Sequence, residues 1–284
     1  MKPPSVRGAV WTVTHRFLVV VTLLVLLFPI YYLVLTSLTT PDQIVSHERS
    51  AIFPRHLSLD GYRAVLANPN FGRYVLNSFL VAATVTVLSV SISGLGAYSL
   101  ARLPFPGSRL LGRVVLLAYV APPVLLAIPM FVGLSKLKIV DTPFALILAH
   151  LTFALPFCLW MLRGFFLSLP RELEDAAAVD GCTPLRTFRL IVLPLARPAI
   201  AAAAMFAFLL SWNEYFYALI FLQNNAQMTL PVGIQSSYFN VVMGPDNWIR
   251  LLCGSVLASI PVFILFGALQ RWMVGGLTAG AVRG

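Results

Sequence analysis

Long apolar runs separated by short polar segments dominate this sequence. A helix that crosses a bilayer needs about 20 mostly apolar residues, and six stretches of the chain meet that requirement. The predicted spans are 17–35, 74–100, 114–134, 143–162, 196–222 and 251–274. The pattern therefore predicts an all-α, polytopic membrane protein with six transmembrane helices.

The composition supports a membrane protein and excludes other classes. Hydrophobic residues make up 59% of the 284 residues and charged residues only 11%, whereas a soluble domain has about 25% charged residues. The hydrophobicity is also too high for a disordered chain. The basic residues behind the net charge of +10 are scattered between apolar runs, so we expect contact with membrane lipid and no nucleic-acid partner. Cys158, Cys182 and Cys253 lack the spacing of a disulfide framework or a metal site, so we expect no metal.

The distribution of Lys and Arg predicts the orientation of the spans. If the N-terminus is inside, 13 basic residues lie in inner segments and seven lie in outer segments. The segment 101–113 weighs most, because it contains three arginines and no acid. The positive-inside rule then places both termini in the cytoplasm. We expect residues 1–16 to form a cytoplasmic N-terminus and residues 17–284 to form a single transmembrane domain.

The inner segment between the fourth and fifth predicted spans carries the strongest local signal. Glu172, Glu174 and Asp175 suit the first turns of a helix, where carboxylates complement the positive end of the dipole. Ala176–Ala178 are strong helix formers, and Gly181 can adopt the left-handed conformation that ends a helix. These features predict a helix, a turn and a second helix at the inner membrane surface. On this evidence alone, an ordinary amphipathic linker explains them equally well.

The spacing of this segment resembles the EAA loop of the inner-membrane permeases of ATP-binding-cassette (ABC) importers. The matching residues are Glu172, Glu174, Asp175, Ala176, Ala177, Asp180, Gly181, Phe188, Ile191, Leu193 and Pro194. The fuller string resembles the carbohydrate-importer branch, and the tail 276–284 is similar to that of the maltose-type (MalG-like) subunits. Asp175 stands where this family usually has Glu, and Cys182 stands where it usually has Ala.

The resemblance implies the type I ABC importer permease fold and a coupling role for this loop, about 163–195. In such importers the loop sits in a groove of an ATPase subunit and carries ATP-driven movement to the pore by alternating access. The implied partners are a second, related permease, two ATP-binding subunits, and an extracytoplasmic solute-binding protein or lipoprotein. The implied location is the bacterial inner membrane, and the implied cargo is a sugar or related polyol.

This chain itself is expected to be non-catalytic and to bind no cofactor. A phosphate-binding loop needs Gly-Lys followed by Ser or Thr, and none of the three lysines follows a glycine. ATP and Mg would therefore be held by the partner ATPase subunits.

Polar residues in the fifth predicted span are candidates for the translocation pathway. Glu214 is the only acid within a predicted span, and Ser211, Trp212, Asn213 and Tyr215 surround it. Polar groups inside a span usually face the interior of a bundle or a cavity, and aromatic faces and amides suit a sugar. A place in the aromatic belt at the outer interface explains the same residues equally well.

The outer segment between the last two spans matches, by position, the loop that contacts the solute-binding protein in maltose-type subunits. The candidate contact residues are Gln235, Tyr238, Asn240, Asp246 and Asn247.

Three other functions share some of these sequence features with an ABC importer permease. A permease for a phosphorylated polyol, such as glycerol 3-phosphate, would have a similar sequence. An ion-coupled secondary transporter ordinarily needs several ionisable groups near the membrane midplane, and Glu214 supplies only one. An intramembrane serine protease would need a reactive serine beside a histidine, for which Ser93 and His150 are available, but Ser91 replaces the first glycine of Gly-x-Ser-Gly. We expect His150 to make an interhelical hydrogen bond instead.

Overall fold

A computed structural model describes residues 6–45, 56–103, 105–120, 122–239 and 244–281. These residues are mostly helical and contain no strand. The helices are α1 (Val6–Ser37), α2 (Pro41–Val45), α3 (Asp60–Leu66), α4 (Phe71–Arg102), α5 (Ser108–Val120), α6 (Pro123–Lys136), α7 (Pro143–Ser168), α8 (Glu172–Val179), α9 (Pro184–Thr187), α10 (Leu193–Leu195), α11 (Arg197–Trp212), α12 (Phe216–Phe221), α13 (Leu230–Tyr238) and α14 (Pro245–Ala281). A π-helical turn, Phe188–Val192, lies between α9 and α10.

Four of the described helices, α1, α4, α7 and α14, are long and apolar enough to cross a membrane. Two bent helix pairs, α5 with α6 and the α9–α10 segment with α11, pass the same test when each pair is taken as one span. The structure thus accommodates up to six spans. The predicted all-α polytopic fold is confirmed.

The predicted span 114–134 is interrupted by two adjacent prolines. α5 ends at Val120, α6 begins at Pro123, and the two helices are bent by more than 40°. Pro122 has an extended backbone, with φ −61° and ψ 122°, because the residue before a proline is driven out of the helical region. Pro123 also has no N–H to donate. The two adjacent prolines are therefore sufficient to cause the bend.

The predicted span 196–222 is also interrupted. α11 ends at Trp212 and α12 begins only at Phe216. Glu214, which the apolar pattern predicts to lie inside a helix, lies in this break. The side chains around the break explain it, as described below.

The described residues form two compact units, of which the first comprises the chain up to Pro69 and Ile234–Leu257. In this unit the thiol of Cys253 donates to the carbonyl of Ser37 over 3.2 Å, and the hydroxyls of Ser37 and Tyr62 are 2.6 Å apart. A Cβ added to Gly61 would lie 2.7 Å from the Cys253 sulfur. Glycine thus permits the close approach of α3 to the start of α14.

The second unit comprises Asn70–Gly233 and the chain from Ala258 onward. Its centre is formed by α4, α7 and α11, which pack against one another. Small residues line part of the contact, and Ala97, Ala199, Ala203 and Ala207 are all buried there. Small side chains let helix backbones approach closely in a membrane, where van der Waals contact replaces the hydrophobic effect between helices.

In the second unit, segments that the predicted topology assigns to the same side of the membrane lie together. At one end, Asp141 Oδ1 accepts from the backbone N–H groups of Gln223 at 2.9 Å and Asn224 at 3.0 Å. At the other end, Arg102 donates to the carbonyl of Leu169 at 2.6 Å. The second end carries the segment that resembles the EAA loop.

Candidate functional sites

α8 is a short surface helix at the position where the sequence predicts one. Its first turn holds Glu172, Glu174 and Asp175, whose carboxylates complement the positive end of the helix dipole. The helix begins at Glu172, with Arg171 as the N-cap. Within α8 only Ala177 is buried. Most of the motif is therefore on the surface of this chain.

Gly181 ends α8 in the left-handed conformation that the sequence predicts, with φ +78°. The N–H of Cys182 bonds to the carbonyl of Ala177 at 2.9 Å, and the N–H of Gly181 bonds to that of Ala178 at 3.0 Å. This pair of bonds is a Schellman motif. A Cβ at Gly181 would meet no atom within 4 Å. Backbone conformation, and not space within this chain, is what requires glycine here. Asp180 precedes it as the exposed C-cap.

The chain restarts at Thr183, whose hydroxyl accepts from the N–H of Arg186 at 3.4 Å. Pro184 occupies the first helical position, where its missing N–H costs nothing. The π-helical turn and α10 follow, and the whole segment meets α11 at 78°. Among the remaining motif residues, Ile191 is half-buried, and Leu193 and Pro194 are exposed.

Phe188, like Ala177, is a motif residue that packs into this chain's own core. Its ring centroid lies 4.9 Å from that of Tyr98 and 6.2 Å from that of Phe166. In contrast, Val179 is 88% exposed, and Leu173 and Leu185 are also exposed. Val179 ends α8 and Leu185 lies in α9, which packs against α8, and exposed apolar side chains that lie together indicate an interaction surface. We call Val179 and Leu185 the apolar tip.

A buried ion pair anchors α8 to the end of α4. Arg102 Nε lies 2.7 Å from Glu174 Oε1, and the two side chains are only 6% and 17% exposed. Tyr98 donates from its hydroxyl to Glu174 Oε2 at 2.9 Å, while Arg102 also donates to the carbonyl of Leu169. Glu174 was predicted as a motif residue, but Arg102 and Tyr98 were not predicted as its partners. Both belong to α4, far from Glu174 in sequence.

Glu214 forms the start of α12. Its Oε1 accepts from the N–H of Tyr217 at 2.8 Å, and its Oε2 accepts from the N–H of Ala218 at 3.1 Å. The first N–H groups of a helix have no partner within the helix, so the carboxylate satisfies two of them. On the other side of the break, Asn213 donates from its amide to the carbonyl of Leu209 at 3.0 Å. The broken span is thus stabilised by side chains from the break itself.

His150, on the neighbouring helix α7, contacts two residues at this break. Its Nε2 lies 3.2 Å from Glu214 Oε2, and its Nδ1 lies 2.7 Å from Ser211 Oγ. Both contacts are satisfied when Nε2–H donates to the carboxylate and the Ser211 hydroxyl donates to Nδ1. His150 is fully buried. The expected interhelical hydrogen bond is confirmed.

The structure separates the five candidates for the translocation pathway into two groups. Ser211 and Trp212 are buried, and Trp212 donates from its indole to the carbonyl of Ala258 at 3.1 Å. The Glu214 carboxylate already accepts hydrogen bonds from the start of α12 and contacts His150. Asn213 is exposed and Tyr215 is half-buried. A pathway role stays a prediction for all five, with surface access favouring the last two.

The candidates for binding-protein contact lie in the first unit, except that Asn240 is outside the described residues. Tyr238 is buried, with its hydroxyl 3.4 Å from the amide nitrogen of Asn68. Gln235 and Asn247 are half-buried, and Asp246 is exposed at the start of α14. The contact role stays a prediction.

Two polar residues near the start of α4 fix the chain that follows α12. Asn77 donates from its amide to the carbonyls of Ala226 and Met228, both at 3.0 Å. Ser78 Oγ accepts from the N–H of Leu230 at 2.7 Å. No local pattern predicts a partner for Asn77 or Ser78, because all three bonds join segments that are far apart in the chain.

Residues 92–279 match a protein family described as binding-protein-dependent transport system inner membrane component. The chain is 36% identical to the diacetylchitobiose uptake system permease protein DasC of Streptomyces coelicolor, over 99% of each chain. It is 34% identical to the trehalose/maltose transport system permease protein MalG of Thermococcus litoralis, over 92% of this chain and 93% of that one. A chain in the crystal structure of a bacterial ABC transporter for alginate import aligns with a TM-score of 0.77 at 22% identity, covering 95% of this chain and 99% of that chain.

Proposed function

Because this chain belongs to the family of binding-protein-dependent transport system inner membrane components, we infer that it is a permease subunit of an ABC sugar importer. It is a multi-pass protein of the bacterial inner membrane and works in a system that depends on a solute-binding protein. Carbohydrate as the cargo is supported by relatives named for diacetylchitobiose and for trehalose and maltose.

The structure of α8 is the observation that supports the coupling role, because the first turn of this helix is bonded to α4 and its last residue is exposed. Glu174 is held by Arg102 and Tyr98, whereas Val179 is 88% exposed. An ATPase subunit that gripped the apolar tip would pull on α4 through the ion pair. α8 would then transmit movement in both directions, as a coupling element between two states must.

In this proposal the chain forms half of the pathway and supplies no chemistry of its own. A second, related permease forms the other half, and two ATPase subunits bind ATP and Mg. Asn213 and Tyr215 are the pathway candidates that remain accessible at the break in the fifth span, where a sugar or the second permease could reach them.

Substitution of Gly181 tests the coupling role. Valine is strongly disfavoured at φ +78°, whereas asparagine tolerates the left-handed region. In proteoliposomes that contain the assembled importer, we expect Gly181→Val to uncouple ATP hydrolysis from sugar uptake or to release the ATPase subunits. Gly181→Asn is the matched control and should keep most of the uptake. Wild-type uptake and normal copurification of Gly181→Val would contradict the proposal.

The same vesicles separate ATP-driven import from ion-coupled transport. The proposal requires uptake when ATP and the binding protein are present and no ion gradient is imposed. Uptake that follows an imposed proton gradient and ignores ATP would favour a secondary transporter. Competition between a disaccharide and glycerol 3-phosphate then distinguishes the two cargo classes.

A further inference from the structure

Three adjoining cavities lie around the start of α5, where it meets the ends of α4 and α7. Their volumes are about 790, 220 and 290 Å³. Ser108 and Arg109 line all three, Arg113 lines the first two, and Arg163 lines the last two. The third cavity also reaches Arg171. By the predicted topology, this group of cavities faces the cytoplasmic side of the membrane.

The cavities carry strong, uncompensated positive charge. Arg109, Arg113, Arg163 and Arg171 have no ion-pair partner among the described residues, and no acid lines any of the three cavities. Within the described structure, Arg163 Nε is buried without a hydrogen-bond partner. The Arg163 guanidinium lies over the ring of Trp160, 5.6 Å from its centroid. Such a set of donors matches a phosphate group, which guanidinium binds through two parallel hydrogen bonds.

An apolar face continues from this arginine cluster along α5. The helix has no buried residue, and Leu110, Val114 and Leu117 are each at least half exposed. Their spacing of four and three residues puts them on one side of the helix. Trp160 is also exposed, and tryptophan is enriched at membrane interfaces. A ligand for this site therefore needs a negative head and an apolar tail.

We propose that this arginine cluster binds the phosphate headgroup of an anionic phospholipid of the inner leaflet, with the acyl chains lying along α5. Basic pockets between transmembrane helices on the cytoplasmic side are suited to such headgroups. Free phosphate would also satisfy the arginines, and the experiment below distinguishes it from the phospholipid. The site is separate from the apolar tip of α8 and from the pathway candidates.

Quenching of Trp160 fluorescence tests the proposal. The assembled importer is placed in bilayers that contain brominated phosphatidylglycerol or brominated phosphatidylcholine, and the signal of a Trp160→Phe variant is subtracted. We expect phosphatidylglycerol to be preferred at Trp160 by about fivefold for each arginine that contacts the headgroup. The double variant Arg109→Gln/Arg163→Gln should lose the preference. Arg109→Lys/Arg163→Lys should keep part of it, because the charge remains and the bidentate geometry is lost.

Arg73→Gln is the matched control, because Arg73 is exposed near the opposite end of α4 and should leave the preference unchanged. Equal quenching by the two lipids in the wild type would overturn the proposal. A preference that survives in the double glutamine variant would overturn it as well. Millimolar inorganic phosphate at constant ionic strength tests the other source of the headgroup chemistry. The lipid preference should persist, and its complete loss would show that free phosphate is the stronger ligand of the arginines, against the proposal.

Discussion

Two pairs of an acid and a base lie in the second unit, and they join very different structures. Arg102 and Glu174 connect the end of a membrane-spanning helix to a surface helix in which only Ala177 is fully buried. His150 and Glu214 connect two segments that are already packed side by side. In the first pair the side chains form the attachment itself. In the second pair they stabilise a break in a span that packing alone would leave with unpaired backbone groups.

The two acids therefore have different roles. Arginine stays charged at all relevant pH values, so the buried Arg102 needs a carboxylate beside it. Glu214 instead serves mainly as a hydrogen-bond acceptor for Tyr217 and Ala218. Loss of charge at Glu174 should therefore matter more than loss of charge at Glu214.

The largest effect is expected for Glu174→Gln. The substitution keeps the size of the side chain but leaves the charge of Arg102 buried without a counter-charge, at a cost of about 3 kcal/mol or more. Thermal unfolding of the purified importer should shift to lower temperature, and ATP-driven uptake should fall with it. Because α8 would lose its attachment, the ATPase subunits should also copurify less well.

Glu172→Gln is the control for this prediction, because Glu172 lies in the same turn of α8 and is exposed. We expect it to change the free energy of unfolding by less than about 0.5 kcal/mol. The charge-exchanged double variant Arg102→Glu/Glu174→Arg should recover part of the stability. Equal stability of the two glutamine variants would show that the buried pair does not anchor α8.

A smaller effect is expected for Glu214→Ala. This change removes the acceptor for two N–H groups at the start of α12, and loss of a helix cap costs about 1–2 kcal/mol. Hydrogen exchange of residues 216–221, measured by mass spectrometry, should accelerate. Glu214→Gln keeps one of the two acceptor oxygens and should retain part of the protection. Unchanged exchange in the alanine variant would assign the break to packing and not to the carboxylate.

The two pairs also show which features a single sequence can predict. The spans, the start of α8 and its glycine end follow from local patterns: apolar runs, carboxylates in a first turn, and a residue able to adopt positive φ. The bend after α5 is equally local, since Pro122-Pro123 is sufficient to cause it. These features needed no knowledge of distant contacts.

The partners of the acids could not be predicted in the same way. Arg102 and Glu174 are brought together only because α4 and α7 pack side by side and end at the same level. Glu214 was expected within a helix because the apolar pattern runs from 196 to 222 without a proline or glycine beyond Pro198. The break is stabilised by side-chain hydrogen bonds to the backbone, and one of their partners is His150 of another helix.

The smallest effect on stability, and the sharpest test of the bare end of α8, is expected for Val179→Ser. Because Val179 is 88% exposed, the free energy of unfolding of the permease should change by less than about 0.5 kcal/mol. If an ATPase subunit covers the apolar tip, loss of the buried valine should weaken its association by about tenfold. Val179→Leu restores an apolar side chain and should bind the ATPase nearly as well as the wild type. A serine variant that retains the ATPase subunits at wild-type affinity would mean that the partner binds another surface. The ion pair between Glu174 and Arg102 would then not transmit movement from an ATPase bound at Val179.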